Sequence, residues 1–233
     1  MQERKILTIV QFVLVAMLLL PVMACADRQA DHDKGASGSK PARVFEENVQ
    51  YAELFSPVPT NVDKGKVEVV EVFWYGCPHC FHLEPYVEGW NKNKAKDVEL
   101  VRMPGILGPS WKLYARAFYA AQVLGVTDKL HEALFTAIHE QHRKIRDEDS
   151  LVRFVESQGI DPKAFREALN SMAVETKVAR AEELGKLYGI TGVPALVVGG
   201  KYRVLNNGVQ SYQEIFDVVD FLVDKVRKEA QGE

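Results

Sequence analysis

The chain has 233 residues, of which 47% are hydrophobic and 26% are charged, and its formal charge at pH 7 is −3. This composition is typical of a soluble globular protein and excludes a disordered chain or a coiled coil. The near-neutral charge argues against a protein that binds nucleic acid by neutralising phosphates. Three cysteines are too few for a small scaffold stapled by disulfides.

Residues 1–24 have the pattern of a secretory signal. Arg4 and Lys5 precede Ile6 to Ala24, a stretch of 19 residues without a charge that ends in small residues. A basic start, an apolar middle and small residues at the end are typical of a cleaved signal segment. An uncleaved membrane anchor is the alternative, since a stretch of this length can just span a bilayer.

Two processing sites compete after this segment. Cleavage after Ala26 would release a soluble protein that begins at Asp27, whereas Val22 to Cys25 resembles a lipoprotein box with Cys25 as the lipid acceptor. The polar residues 25–42 favour lipidation, because such a flexible spacer would hold a folded domain away from a bilayer. Either site places the folded part outside the cytoplasm, in a periplasm where disulfides persist.

Strand patterns lie on both sides of a long helical block. Predicted strands, rich in β-branched and aromatic residues, are Tyr51–Phe55, Val67–Trp74, Val98–Met103, Ala195–Val198 and Tyr202–Leu205, the last two as a hairpin across Gly199-Gly200. Predicted helices are Cys77–Trp90, Ser110–Leu124, Lys129–His142, Glu148–Gln158, Pro162–Asn170, Ala173–Tyr188 and Tyr212–Lys228. We expect Pro85 to bend the first helix. This order predicts one α/β domain interrupted by an all-helical insertion.

An acid lies inside the second predicted strand. Because strand side chains alternate between faces, Glu71 shares its face with Val67, Val69 and Phe73. This pattern leaves two interpretations open. Glu71 is either a buried functional acid or a residue at a twisted strand end that reaches water.

Cys77-Pro78-His79-Cys80 follows this strand and begins the next helix, with Pro78 well placed at the first helical position. Two cysteines one helical turn apart can form a disulfide with each other. Cys77 lies where unpaired N–H groups and the helix dipole favour a thiolate, and His79 can add a donor or a positive charge. A stabilised thiolate favours the reduced protein. The motif therefore predicts a low pKa for Cys77, an oxidising disulfide, and Cys80 as the shielded resolving thiol.

Zinc binding is the alternative role for these cysteines. Cys77, Cys80 and a histidine could supply ligands, but no second Cys-x-x-Cys or His-x-x-x-His pair completes a tetrahedral site. We interpret His139 and His142 as surface residues that end a helix. We therefore expect no metal site, and a purely structural disulfide is disfavoured because closing so short a loop stabilises little.

Two separate blocks resemble one known family. FWYGCPHC at residues 73–80, followed by Glu84, resembles the active site of the DsbA family of periplasmic thiol:disulfide oxidoreductases. TGVPA at residues 191–195, followed by GKY at 200–202, is similar to the cis-proline loop of that family. The resemblance implies a thioredoxin-like fold formed by residues 43–104 and 190–233, with the helical insertion of the family at residues 105–189.

The resemblance also implies roles for individual residues. Cys77 resembles the exposed nucleophile that forms a mixed disulfide with the substrate, and Cys80 resembles its buried partner. Glu71 matches the buried acid beneath Cys80 that exchanges a proton with it, and burial should raise the pKa of such an acid.

The second block implies a substrate-binding loop. Val193-Pro194 is expected to be a cis peptide, with the Val193 backbone alongside the substrate strand. Thr191 and Gly192 belong to the same loop.

The function implied is that of a dithiol oxidase that donates the Cys77–Cys80 disulfide to newly secreted, unfolded proteins and needs no other cofactor. A quinone-linked membrane oxidase resembling DsbB would reoxidise it. One alternative is an isomerase or reductase, although residues 27–50 are too short and polar for the dimerisation module that such isomerases carry. The other is a non-catalytic lipoprotein that binds or chaperones clients. Without a heptad or a long exposed strand, we expect a monomer.

Overall fold

The structure is a computed structural model that describes residues 44–232. The predicted signal at residues 1–24, the candidate lipid acceptor Cys25 and the spacer at residues 25–42 lie outside the described residues. No helix in the described part of the chain is long and apolar enough to cross a membrane.

Five strands in residues 44–232 form one mixed sheet with the order β1-β5-β4-β2-β3. They are β1 (Tyr51–Glu53), β2 (Val67–Phe73), β3 (Val98–Pro104), β4 (Ala195–Val198) and β5 (Tyr202–Val204). The buried strand β2 runs parallel to β3 and antiparallel to β4. The predicted hairpin of β4 and β5 is confirmed, and its turn uses Gly199 and Gly200 at φ values of 59° and 62°, where glycine is favoured.

Each predicted helix is present, with its ends shifted by a few residues. The helices are α1 (Pro78–Asn93), α2 (Lys112–Val123), α3 (Thr127–His139), α4 (Glu148–Ser157), α5 (Pro162–Leu169), α6 (Met172–Leu187) and α7 (Tyr212–Gln231). The helix α1 continues through Pro85 to Asn93. The helix α3 ends before its predicted end at His142, whose φ of 53° is left-handed.

The two faces of the sheet pack against different helices, because neighbouring side chains of a strand point to opposite faces. Val69 and Val198 pack with apolar residues of α1 and α7. Val70 and Val197 pack with apolar residues of α2 to α6, which lie between β3 and β4 in the chain. The helices predicted as an insertion therefore rest directly on one face of the sheet and share a core with it.

Candidate active site

The four-residue motif begins α1 at the end of β2. Cys77 is the N-cap residue, with an extended backbone at φ −93° and ψ 116°, and Pro78 occupies the first turn. The backbone N–H of Cys80 donates to Cys77 Sγ at 3.4 Å, so this sulfur occupies the position where a helix N-terminus accepts hydrogen bonds. Both cysteines are free thiols in this structure.

The environment of Cys77 favours its thiolate. Hydrogen bonds from the Cys80 thiol and from the backbone N–H groups of Cys80 and His79, together with the His79 imidazole, lower the pKa of Cys77 to about 6, although burial opposes this. Cys77 is only 8% exposed. The expectation that Cys77 is exposed is therefore wrong for this reduced structure, in which the Val193 carbonyl oxygen lies 3.4 Å from the sulfur.

Cys80 lies one turn further into α1 and is fully buried. Burial raises the pKa of Cys80, and its hydrogen bond to Cys77 and the charges of Cys77 and Glu71 raise it further. The two sulfurs are thus shifted in opposite directions. At neutral pH the thiolate resides on Cys77 and the proton on Cys80.

The second sequence block lies against Cys77 as a loop before β4. Its Val193–Pro194 bond is cis, as expected, and the Val193 carbonyl oxygen is 3.4 Å from Cys77 Sγ, close enough to accept from the thiol. Thr191 and Gly192 are exposed at the same loop. The Asn206 side-chain amide donates to the Pro194 carbonyl at 2.6 Å and so tethers the loop.

Glu71 is completely buried at the centre of a charged cluster. Arg102 of β3 approaches Glu71 Oε2 with its Nε at 3.2 Å and contacts Glu84 and Glu88 of α1 with its Nη2, at 3.1 and 2.7 Å. His131 of α3 lies 3.0 Å from Glu84 through its Nε2. The 3.2 Å contact between Glu71 and Arg102 is an ion pair without hydrogen-bond geometry, so both carboxylate oxygens of Glu71 and the Arg102 Nε have no hydrogen-bond partner among the described residues.

The cluster keeps a proton on Glu71. Burial, followed by repulsion from Glu84, raises the pKa of Glu71 to about 8 despite the attraction of Arg102. A single guanidinium cannot offset the loss of hydration of a fully buried carboxylate that also faces two other acids. Of the two interpretations left open by the sequence, the structure therefore supports the buried acid.

His79 is exposed and accounts for one further contact at the helix start. Its Nδ1 lies 3.4 Å from the hydroxyl of Tyr212, the first residue of α7.

His139 differs from its prediction as a surface residue. It is partly buried, donates from Nε2 to the Tyr75 carbonyl at 2.7 Å, and stacks on Phe81 with ring centroids 5.1 Å apart. Within residues 44–232, no three His, Cys, Asp or Glu side chains are grouped as metal ligands.

The sequence did not predict the contacts that Tyr75, Arg102 and His131 make in the site. Tyr75 lies inside the motif, and its hydroxyl is 2.8 Å from His131 Nδ1. Arg102 carries a charge within a mostly apolar strand, which was the available signal for it. His131 lies one turn before the buried Phe135 on the apolar side of α3, where its sequence pattern matches that of a core residue.

These features define the class of protein. A thioredoxin-like sheet with inserted helices positions a Cys-x-x-Cys motif at a helix N-terminus and a cis-proline loop against the first sulfur. The class is that of the thiol:disulfide oxidoreductases.

Comparisons with known proteins identify the family. The sequence model of the DSBA-like thioredoxin domain matches residues 91–219. The thiol:disulfide interchange protein DsbA of Pseudomonas aeruginosa is 37% identical over 182 residues, which cover 78% of this chain and 86% of that protein. Its counterpart in Pseudomonas syringae is 38% identical over 191 residues, which cover 82% of this chain and 89% of that protein.

Solved structures show the same similarity. The crystal structure of Pseudomonas aeruginosa DsbA has a TM-score of 0.76 and 36% identity, with 80% of this chain and 97% of that chain covered. The oxidoreductase DsbA from Xylella fastidiosa has a TM-score of 0.72 and 34% identity, with 77% and 96% covered. The chain belongs to the DsbA family, and its activity is that of a disulfide-forming thiol:disulfide oxidoreductase with a thioredoxin-like fold.

Proposed function

We propose that the Cys77–Cys80 pair is the redox centre and that its disulfide is donated to unfolded, newly secreted proteins. The observation that carries this proposal is the position of Cys77 Sγ, 3.4 Å from the Cys80 N–H at the helix start and 3.4 Å from the Val193 carbonyl. The first contact stabilises a thiolate, and the second places the sulfur beside a backbone that an extended substrate can pair with.

The first step begins from the oxidised pair. A substrate thiolate attacks Cys77 Sγ, a bond forms between these two sulfurs, and the Cys77–Cys80 bond breaks with its electron pair on Cys80. Burial makes the Cys80 thiolate unfavourable, and Glu71 holds a proton at neutral pH because its pKa is about 8. Glu71 therefore supplies the proton that Cys80 takes up.

The second step oxidises the substrate. A second substrate thiolate attacks the substrate sulfur of the mixed disulfide, and Cys77 leaves as a thiolate. A thiol of low pKa leaves faster, so the pKa of about 6 at Cys77 favours this step. The substrate gains a disulfide and the enzyme ends as a dithiol, which a membrane oxidase of the DsbB type would reoxidise.

Substrate binding is assigned to the cis-proline loop. Val193 and Pro194 lie against Cys77, and the exposed Thr191 and Gly192 extend the same edge. Backbone pairing at this edge is independent of substrate side chains, which suits an enzyme that acts on many unfolded proteins.

The proposed location is a periplasm, with a lipid on Cys25 as the tether to a membrane. Support comes from the signal pattern of residues 1–24 and the polar spacer of residues 25–42. Labelling of cells with palmitate, comparing the natural chain with Cys25→Ala, tests the tether. Label on both proteins or on neither would contradict it.

We also propose that the protein is a monomer. Light scattering of the chain without residues 1–25 would check this.

Reduction potential separates the oxidase from a reductase. Equilibration with glutathione buffers, followed by alkylation of free thiols, should show a Cys77–Cys80 disulfide that is more oxidising than glutathione. A strongly reducing potential would contradict the oxidase.

A non-catalytic binding role predicts that protection of client proteins from aggregation survives the loss of both cysteines. The variant with Ser at positions 77 and 80 checks this.

A further inference from the structure

His131 connects the helices between β3 and β4 to the redox site. It lies on α3, is 7% exposed, and its two ring nitrogens contact two residues outside that helix block. Its Nε2 is 3.0 Å from Glu84 Oε1, and its Nδ1 is 2.8 Å from the Tyr75 hydroxyl. Because a carboxylate can only accept, Nε2 carries a hydrogen and donates it to Glu84.

The surroundings of this imidazole are otherwise aromatic. The rings of Phe73, Phe118 and Phe135 lie 5.0 to 5.9 Å from it and meet it at steep angles. A buried polar ring in such a cluster is costly unless its nitrogens are bonded. A phenylalanine at position 131 would pack equally well among these three rings. The two hydrogen-bonded nitrogens of His131 therefore point to a role beyond packing.

The hydrogen-bond donors are divided unequally among the acids of the cluster. Glu84 receives one donor from Arg102 and a second from His131. Glu88 accepts a hydrogen bond from Arg102 and is half exposed to water. Glu71 has no hydrogen bond from the described residues and no exposure. Because one guanidinium cannot hold several buried carboxylates ionised, a proton remains in the cluster, and the acid with the fewest donors binds it most strongly.

We propose that His131 is a positioning residue that holds Glu84 as the ionised member of the Glu71–Glu84 pair and so keeps the shared proton on Glu71, next to Cys80. This inference rests on the proposed function in one respect, namely the use of that proton when Cys80 leaves. The charged and titratable groups that face Glu71 are Arg102 from β3, Glu84, Glu88 and Cys80 from α1, and Tyr75 from the segment between β2 and α1. From β4, the neighbour in register is the apolar Leu196.

Loss of the His131 donor should move the proton. Against burial, which opposes ionisation, the hydrogen bond from His131 is the largest influence that lowers the pKa of Glu84, ahead of the charge of Arg102. Without it Glu84 becomes a stronger competitor for the proton. Glu71 then faces a less negative neighbour and ionises at lower pH.

The test follows Glu71 directly. Reduced protein labelled with ¹³C at glutamate carboxyl groups is titrated by NMR, with the Glu71 signal assigned from its absence in Glu71→Gln. In His131→Phe, which keeps an aromatic ring in the cluster, we expect the Glu71 midpoint to fall by about one pH unit, a tenfold change in proton affinity. His131→Gln retains a side-chain N–H donor and should recover part of the shift.

Two further variants separate a positioning role from a structural one. Tyr75→Phe removes the other bond of His131 and should leave the Glu71 midpoint in place. In a Glu84→Gln background, His131→Phe should cause no additional shift, because the acid through which it acts is already neutral. An unchanged Glu71 midpoint in folded His131→Phe, or an equal shift with and without Glu84, would overturn the proposal.

Failure of the proposed function gives a different result. If the Glu71 midpoint falls in His131→Phe but the pH dependence of substrate oxidation stays the same, the proton assignment stands and the role of Glu71 as proton donor is rejected. If both move together to lower pH, the positioning role and the catalytic use of the proton are supported together.

Discussion

The first turn of α1 and the carboxylate cluster below it treat negative charge in opposite ways. At the first turn, the Cys80 thiol, backbone N–H groups and His79 lower the pKa of Cys77 to about 6. In the cluster, three acids share Arg102, and burial raises the pKa of Glu71 to about 8. The difference shows that two neighbouring regions of a disulfide oxidant favour opposite protonation states. The first turn of α1 favours the Cys77 thiolate, and the cluster favours a protonated Glu71.

The largest expected effect tests the anion side. Cys77→Ser removes the sulfur that substrate thiols are proposed to attack, so oxidation of a dithiol peptide should fall to the uncatalysed rate. Cys80→Ser cannot form the internal disulfide, so its Cys77 thiolate should instead attack a disulfide-bonded peptide and accumulate a mixed disulfide, visible on a non-reducing gel, as one peptide thiolate leaves. Cys25→Ser is the matched control and should retain full turnover. Turnover by Cys77→Ser would break the comparison altogether.

The next effect tests the proton side. Glu71→Gln removes the buried acid, and because a positioned acid typically contributes about a hundredfold or more, the single-turnover rate of mixed-disulfide formation should fall by about that factor at pH 7. Glu68→Gln is a close control. Glu68 is also buried on β2, but its carboxylate accepts from the Asn61 backbone instead of joining the cluster. Equal loss in both variants would point to damage to the strand.

Stability against pH measures the two regions separately. The lowered pKa of Cys77 stabilises the reduced protein above the pKa of a free thiol, and this contribution is lost as pH falls towards 6. The difference in unfolding free energy between the reduced and the oxidised protein should therefore rise between pH 6 and 8. For a pKa of about 6 the contribution at pH 7 is about 1.4 kcal/mol, or about 30 mV of reduction potential.

The raised pKa of Glu71 changes stability with pH in the opposite direction. Its contribution to stability is fully present below pH 4.5 and is lost as pH rises through about 8. In oxidised protein, where Cys77 carries no thiolate, Glu71→Gln should therefore gain stability relative to the natural chain as pH rises across this range. A difference that is flat with pH in urea unfolding would contradict a protonated Glu71.

The smallest effect concerns the side chain at the helix start. His79→Gln removes one of several contributions to the thiolate, and the backbone donors remain in place. The pKa of Cys77, followed by thiolate absorbance, should rise by about one unit or less. His82→Gln, an exposed histidine on the next turn, serves as control and should leave it unchanged. A larger rise would assign the low pKa to the imidazole instead of the helix.

The sequence allowed good prediction of the local features and poor prediction of the cluster. The start of α1 follows from Pro78 and the preceding strand, and the cis-proline loop from its family motif, because both depend on neighbours in the chain. The contacts of Arg102 and His131 do not, since they lie 31 and 60 residues from Glu71 and meet it or its partner only after β3 and α3 have packed.

The burial of Cys77 was missed for a related reason. Its exposure depends on the loop at Val193, which lies 116 residues away in the chain and comes near the sulfur because β4 pairs with β2. The same long-range packing explains His139, which the sequence pattern places at a helix end on the surface but which the fold places under the Tyr75 carbonyl.

One feature of the core bears on how the molecule melts. Val70 and Val197 of the sheet belong to the same apolar cluster as Phe118, Leu134 and Phe165 of the helices between β3 and β4. Removal of those helices would expose one whole side of the sheet to water. Heating should accordingly produce one calorimetric transition whose van't Hoff and measured enthalpies agree, so that oxidation of the two sulfurs shifts the melting of the whole folded unit at once.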